Sequence, residues 1–261
     1  MLKTRILTAL VGIPAMLGLA YLGGPYWQLF VLLLAMAGLF EFYAMVSAGG
    51  HRPIRVLGYL LVVLLLAWFT GIPAVLSRQS PASLLLGMMV TGLVLLLFFP
   101  RYNLTDLAVT WFGPLYLSVF LSYALITGEL DGSFGILLLA FLLTWASDSG
   151  GYFVGRWLGR RKLAPTISPN KTWAGAAGGI FLAVMVAVLY GWGEYPVAYT
   201  VLLGVAGSIT AQVGDLVVSA MKRHCGVKDT GSLITGHGGV LDRFDSFMWV
   251  MPLVYYFCKY F

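Results

Sequence analysis

Asp215, Asp242 and Asp245 are the residues on which a chemistry can be built. Asp215 precedes Ser219 by four residues and Lys222 by seven, so the three share one face of a helix. Asp242 and Asp245, three residues apart, share another. The two faces belong to consecutive apolar segments joined by residues 223–240, so they can converge. Three carboxylates brought together suit Mg²⁺, a hard cation that takes oxygen ligands from a few carboxylates and from substrate phosphates. Ion pairing with Lys222, Arg223 and Arg243 is the other use for these acids.

The joining segment holds Gly226, Gly231, Gly236, Gly238 and Gly239. Glycine lets backbone N–H groups come close to a phosphate. Lys222, Arg223, Lys228 and Arg243 would neutralise phosphate charge, or form a basic rim that meets anionic lipid heads. His237 stands in Gly-His-Gly-Gly. A lone histidine is more often a structural hydrogen-bonding group than a catalyst or ligand, and both uses stay open. His51 and His224 have no supporting context.

A second polar segment starts at Asp148-Ser-Gly-Gly-Tyr and runs through Gly155-Arg156 to Ser168-Pro-Asn170-Lys171-Thr172. Asp148 ends an apolar run, so it is a carboxylate at membrane depth. It could orient a nucleotide, hold a second, monovalent cation or pair with Lys171. Asn170-Lys171-Thr172 precedes a predicted helix start, and helix N-termini favour anions. The phosphate-binding Gly-x-x-x-x-Gly-Lys-Ser/Thr pattern is absent. The Asn103 and Asn170 sequons fall in loops expected on the cytoplasmic side, which argues against glycosylation.

The elements that must position these groups are apolar helices. The chain has 261 residues, 60% hydrophobic and only 10% charged, with a mean hydropathy of +0.89. A soluble domain carries roughly 25% charged residues. Long continuous runs such as 31–40 exclude the alternating strands of a membrane barrel. The expected fold is an all-α, polytopic integral membrane protein with about nine transmembrane helices: 5–23, 26–48, 56–77, 82–99, 106–127, 134–152, 174–192, 197–222 and 241–260. Glu41 inside the second raises the expectation that this helix is broken or partly interfacial. Residues 1–261 read as one membrane domain, with 1–127 as lipid-facing and packing helices and 128–261 as the catalytic half. The first apolar stretch reads as a retained helix, without a clear cleavage site.

With the N-terminus in the cytoplasm, every Lys and Arg except Arg78 and Lys259 falls on the cytoplasmic side. That places both polar segments there, in a multi-pass protein of the inner (cytoplasmic) membrane. The net charge of +6 then reflects orientation and anionic headgroups, and no nucleic acid is expected. Cys225 and Cys258 lack metal-ligand spacing and imply two free thiols.

Ser219-x-Met221-Lys222-Arg223, Lys228-Asp229-x-Gly231 and His237-Gly238-Gly239-x-x-Asp242-Arg243-x-Asp245 together strongly resemble the phosphatidate cytidylyltransferases, or CDP-diacylglycerol synthases. Asp148-Ser-Gly and Ser168-Pro-Asn170-Lys171-Thr172 resemble the same family's upstream segments. The resemblance covers the C-terminal half closely and the N-terminal half only as hydrophobic spans. Thr235 departs from it, where the family usually has proline or glycine.

The resemblance implies an integral membrane enzyme that joins CTP and phosphatidic acid into CDP-diacylglycerol and pyrophosphate. It implies Mg²⁺ on Asp215, Asp242 and Asp245, and a homodimer. Lys222 and Arg223 would hold phosphate in catalysis. Asp148, Ser168, Asn170, Lys171, Ser219, Lys228, His237 and Arg243 would bind substrate. Two other classes compete: a CTP-dependent membrane lipid kinase, which would release CDP, and an ion-coupled transporter with charges at mid-membrane.

Overall fold

The computed structural model describes residues 2–71, 74–233 and 238–261. Its helices, in chain order, are α1 (Leu2–Leu22), α2 (Gly24–Ala48), α3 (Arg55–Thr70), α4 (Ala74–Phe98), α5 (Leu104–Thr127), α6 (Ser133–Leu158), α7 (Trp173–Tyr190), α8 (Val197–His224) and α9 (Leu241–Tyr260). Among the described residues, α2, α5, α6, α7 and α8 are long and apolar enough to cross a membrane. α3 is shorter, and α9 is too charged, with Asp242, Arg243, Asp245 and Lys259. The chain is an all-α, polytopic membrane protein.

The chain divides into two compact units. One contains the residues up to Glu129 together with His224–Leu241; the other contains Leu130–Arg223 and Asp242–Phe261.

In the first unit, buried polar groups tie apolar helices together. The Trp27 indole donates to the Ala124 carbonyl at 2.7 Å, and the Tyr43 hydroxyl to the Thr110 carbonyl at 2.7 Å. Asn103 caps α5 in a reciprocal box with Asp106, each side chain accepting a backbone N–H at 2.9 Å. Asp106 also accepts from the Arg52 N–H at 2.7 Å, which fixes the turn after α2. α3 stops at Gly71, whose φ of 73° gives a left-handed cap. The helix therefore ends well before the expected residue 77. α2 is continuous, contrary to the break expected at Glu41, because the buried carboxylate is hydrogen-bonded.

In the second unit, α6 and α7 pack backbone against backbone. A methyl group at Gly150 would collide with the Gly178 carbonyl, and one at Gly175 would come within 2.7 Å of the Gly151 carbonyl. Small residues at such seams are how apolar helices approach closely in lipid. Gly150→Ala is expected to cost roughly 1–3 kcal/mol through overpacking, read as a lower melting temperature in detergent. Gly92→Ala, where an added methyl meets nothing within 4 Å, is the control and should not lower it.

Between α6 and α7 lies a hairpin that the sequence reading lacked. Strand β1 (Lys162–Ala164) runs antiparallel to β2 (Ser168–Thr172), with Lys162 opposite Thr172 and Ala164 opposite Ser168. Thr172 then caps α7 by accepting the Gly175 N–H at 3.1 Å. α6 runs on to Leu158 rather than ending at residue 152, so Asp148, Tyr152 and Arg156 stand one turn apart on it.

Candidate active site

The second unit carries most of the polar residues expected to act. Lys171, at the end of β2, meets Asp215 of α8 at 2.5 Å, with both side chains about one quarter to one third exposed (25% and 30%). Asp215 also accepts a hydrogen bond from Ser219, one turn further on, at 3.2 Å. The i, i+4 spacing read from the sequence is thus realised as a contact. Lys222 meets Asp242 at 2.6 Å, and here the side chains are largely buried, at 12% and 9% exposure. Arg223 donates through Nε to the Ile167 carbonyl in the hairpin turn at 3.2 Å.

Asp245 is buried and accepts the Ser246 N–H at 2.6 Å. Gly214 allows its approach to α8: a methyl group there would stand 2.7 Å from the Asp245 carbonyl and 2.8 Å from the Trp249 ring. Asp245 is within electrostatic reach of Asp215, Asp148 and Lys222. Asp148 is in turn within reach of Asp215, Lys171 and Arg243. Asp148, Asp215 and Asp245 are thus within electrostatic reach of one another, while Asp242 pairs with Lys222.

Among the described residues, no three His, Cys, Asp or Glu side chains are close enough to hold a metal ion between them. The set Asp215, Asp242 and Asp245 is not a closed protein cage. The donors are all carboxylate oxygens, the chemistry that hard cations prefer. Magnesium is commonly held by one or two carboxylates, with substrate phosphates and water supplying the rest.

A cavity of about 470 Å³ adjoins this centre. Asp148, Tyr152 and Arg156 line it from α6, Asn170 and Lys171 from β2, and Gln212 and Asp215 from α8. Tyr152 accepts a hydrogen bond from Arg156 at 2.8 Å, which holds the guanidinium at the wall. Gln212 donates to the Ala176 carbonyl at 3.2 Å and to Ser208 at 3.0 Å. Gln212 was missed by the sequence reading, although it precedes Asp215 by three residues and so shares its helix face.

The remaining expected residues fall elsewhere. Ser168 lies on β2 opposite Ala164 and outside the cavity lining. Lys228 is an exposed residue of the first unit. His237 and Thr235 lie outside the described residues. His51 and His224 stack with ring centroids 6.4 Å apart. Both cysteines are free thiols; burial pushes the Cys225 thiol up from its ordinary value, so it is not a poised nucleophile.

Fold and site together define an integral membrane protein whose polar centre, built from α6, α8, α9 and a hairpin, suits an anionic, oxygen-rich ligand. The chain belongs to the cytidylyltransferase family, whose sequence profile matches residues 3–261. It is 34% identical to a phosphatidate cytidylyltransferase of Bacillus subtilis (strain 168), over 98% of this chain and 97% of that protein. It is 36% identical to one of Staphylococcus aureus (strain COL), over 97% of each chain. The enzyme of the same name from Brucella suis biovar 1 (strain 1330) is 36% identical, over 98% of this chain and 93% of its own length. The likeness therefore extends through the N-terminal spans, beyond the C-terminal half in which it was legible.

Proposed function

We propose that the protein transfers the cytidylyl group of CTP to phosphatidic acid, giving CDP-diacylglycerol and pyrophosphate. The observation that carries this reading is the Lys171–Asp215 pair standing in a cavity wall within the second unit of a chain that matches the cytidylyltransferase family over residues 3–261.

A phosphate oxygen of phosphatidic acid attacks the α-phosphorus of CTP. The bond from that phosphorus to the oxygen bridging to the β-phosphate breaks, and pyrophosphate leaves with the electron pair. The attacking phosphate is already anionic near neutral pH, so no strong base is required. The protein's part is positioning and charge neutralisation. Lys171 and Arg156 face the cavity, where they can bind phosphate oxygens; Asn170 and Gln212 offer amide groups to orient the nucleotide. Lys222 and Arg223 stand at the end of α8 as further phosphate-binding cations.

Asp215 and Asp245, with Asp242 on the same α9 face, are the residues that would hold Mg²⁺. Once bound, the ion would supply positive charge against the phosphates. Asp148 would complete the carboxylate group or hold a second, monovalent cation. Turnover is expected to disappear on chelation with EDTA and to return with added Mg²⁺; turnover indifferent to EDTA would remove the metal from this reading.

The asymmetry of Lys and Arg supports an N-terminus and an active site on the cytoplasmic side of the inner membrane. A homodimer belongs to the same reading. Labelled CTP and phosphatidic acid given to the purified protein should yield lipid-bound cytidine and pyrophosphate in equal amounts. Release of CDP with a phosphorylated lipid would replace the reading with that of a kinase.

A further inference from the structure

Glu41 stands in the middle of α2, among apolar residues, and is completely buried. A carboxylate at that depth is costly unless it is hydrogen-bonded. Its partners come from a segment some two hundred residues away. Oε1 accepts the Val240 N–H at 2.9 Å, and Oε2 accepts the Leu241 N–H at 2.9 Å. The buried Thr230 hydroxyl donates to Oε2 at 3.2 Å. All of these residues belong to the first unit.

Two glycines of the loop make room for the carboxylate. A methyl group at Gly231 would stand 2.6 Å from Oε1, and one at Gly239 would overlap both Oε2 and the Thr230 hydroxyl. The sequence alone offered a phosphate as the reason for glycine at these positions. Here the group requiring close approach is Glu41. It joins the two ends of the loop, Thr230–Gly231 and Gly239–Leu241, at one point. The next residue along the chain is Asp242.

We propose that Glu41 is a positioning residue for the reaction: its carboxylate fixes the base of the glycine-rich loop and the backbone that leads into Asp242. It touches no substrate. Only a carboxylate of this length accepts two adjacent backbone N–H groups and a hydroxyl together. Glutamine keeps the length but turns an NH₂ group toward one of those donors.

The inference rests on the proposed function for its kinetic readout, and local amide exchange supplies a readout independent of it. In Glu41→Gln, exchange at the Val240 and Leu241 amides should accelerate at least about tenfold as their hydrogen bonds are lost. With saturating CTP and phosphatidic acid, kcat should fall by about 10- to 100-fold, the scale of a small misplacement of reacting groups. Exchange in the helices α2, α3 and α5 should stay as slow as in the wild type. Thr230→Val should repeat the loss in milder form, and Thr230→Ser, which keeps the hydroxyl, should restore the rate. Unchanged kcat in Glu41→Gln would overturn the proposal, whether or not exchange accelerates. So would accelerated exchange throughout the first unit in both Glu41→Gln and Thr230→Val, which would make the contact a requirement of folding only. Wild-type protein that forms no lipid-bound cytidine would instead sink the proposed function and leave the exchange comparison standing.

Discussion

Asp215→Asn is expected to lower kcat/KM by about 10²–10³-fold, the scale on which loss of one electrostatic contact to a developing charge is felt. Asp215 orients Lys171 at 2.5 Å and receives the Ser219 hydroxyl at 3.2 Å. It also lies within electrostatic reach of Asp148 and Asp245. Asparagine keeps the shape and removes the charge. Lys171 loses its partner, and the group loses an anion on which a cation would depend. The effect on stability should be small: the pair is partly exposed, and such pairs contribute about 0–1 kcal/mol. Relief of repulsion among the three carboxylates acts in the opposite direction. Activity and stability should therefore separate, with turnover nearly lost and the melting temperature in detergent close to that of the wild type. Near-normal turnover in Asp215→Asn would remove this residue from the centre of the site. A large fall in melting temperature would recast it as a structural group.

The pattern of helices was legible because long apolar runs broken by Gly and Pro leave little choice of fold in lipid. Asp215 and Ser219 were legible for the same local reason, since helical spacing is fixed before any tertiary contact forms. The course of α6 past residue 152 was not. The expected helix stopped at residue 152, just after Gly150 and Gly151, whereas the close fit of Gly150 on α7 accompanies a helix that continues to Leu158. The hairpin 162–172 was hidden by Pro165 and Pro169, which weaken any strand signal.

Spacing could show that Asp242 and Asp245 share a face, but it could not assign their partners. The structure gives Lys222 to Asp242 and places Asp245 with Asp215 and Asp148. Glu41 was visible as an anomaly, a charge inside an apolar span, which is a functional-site signal in itself. Its partners at Thr230, Val240 and Leu241 depend on contacts across most of the chain, which no local pattern encodes.

The Lys222–Asp242 pair provides the second large effect, because stability and activity should respond to it differently. At 2.6 Å and about one tenth exposed, the pair is mostly withdrawn from water. Removing Lys222 takes a cation away from Asp242 in a poorly solvated place, a change that costs up to about 3–5 kcal/mol for a fully buried pair. Lys222→Met should therefore lower the melting temperature strongly. Lys222→Met combined with Asp242→Asn should recover most of that loss, since the carboxylate that had faced Lys222 is then neutral. Activity should not recover. If Lys222 binds phosphate and Asp242 belongs to the cation-binding face of α9, the double variant is folded and inactive. A double variant that regains both stability and turnover would reduce the pair to a structural tie. A single variant with an unchanged melting temperature would show that the two charges do not depend on each other. The measurement is a double-mutant cycle on both quantities: a large coupling energy in stability, alongside turnover that remains lost in all three variants, is the result expected of a pair that holds two working groups in place.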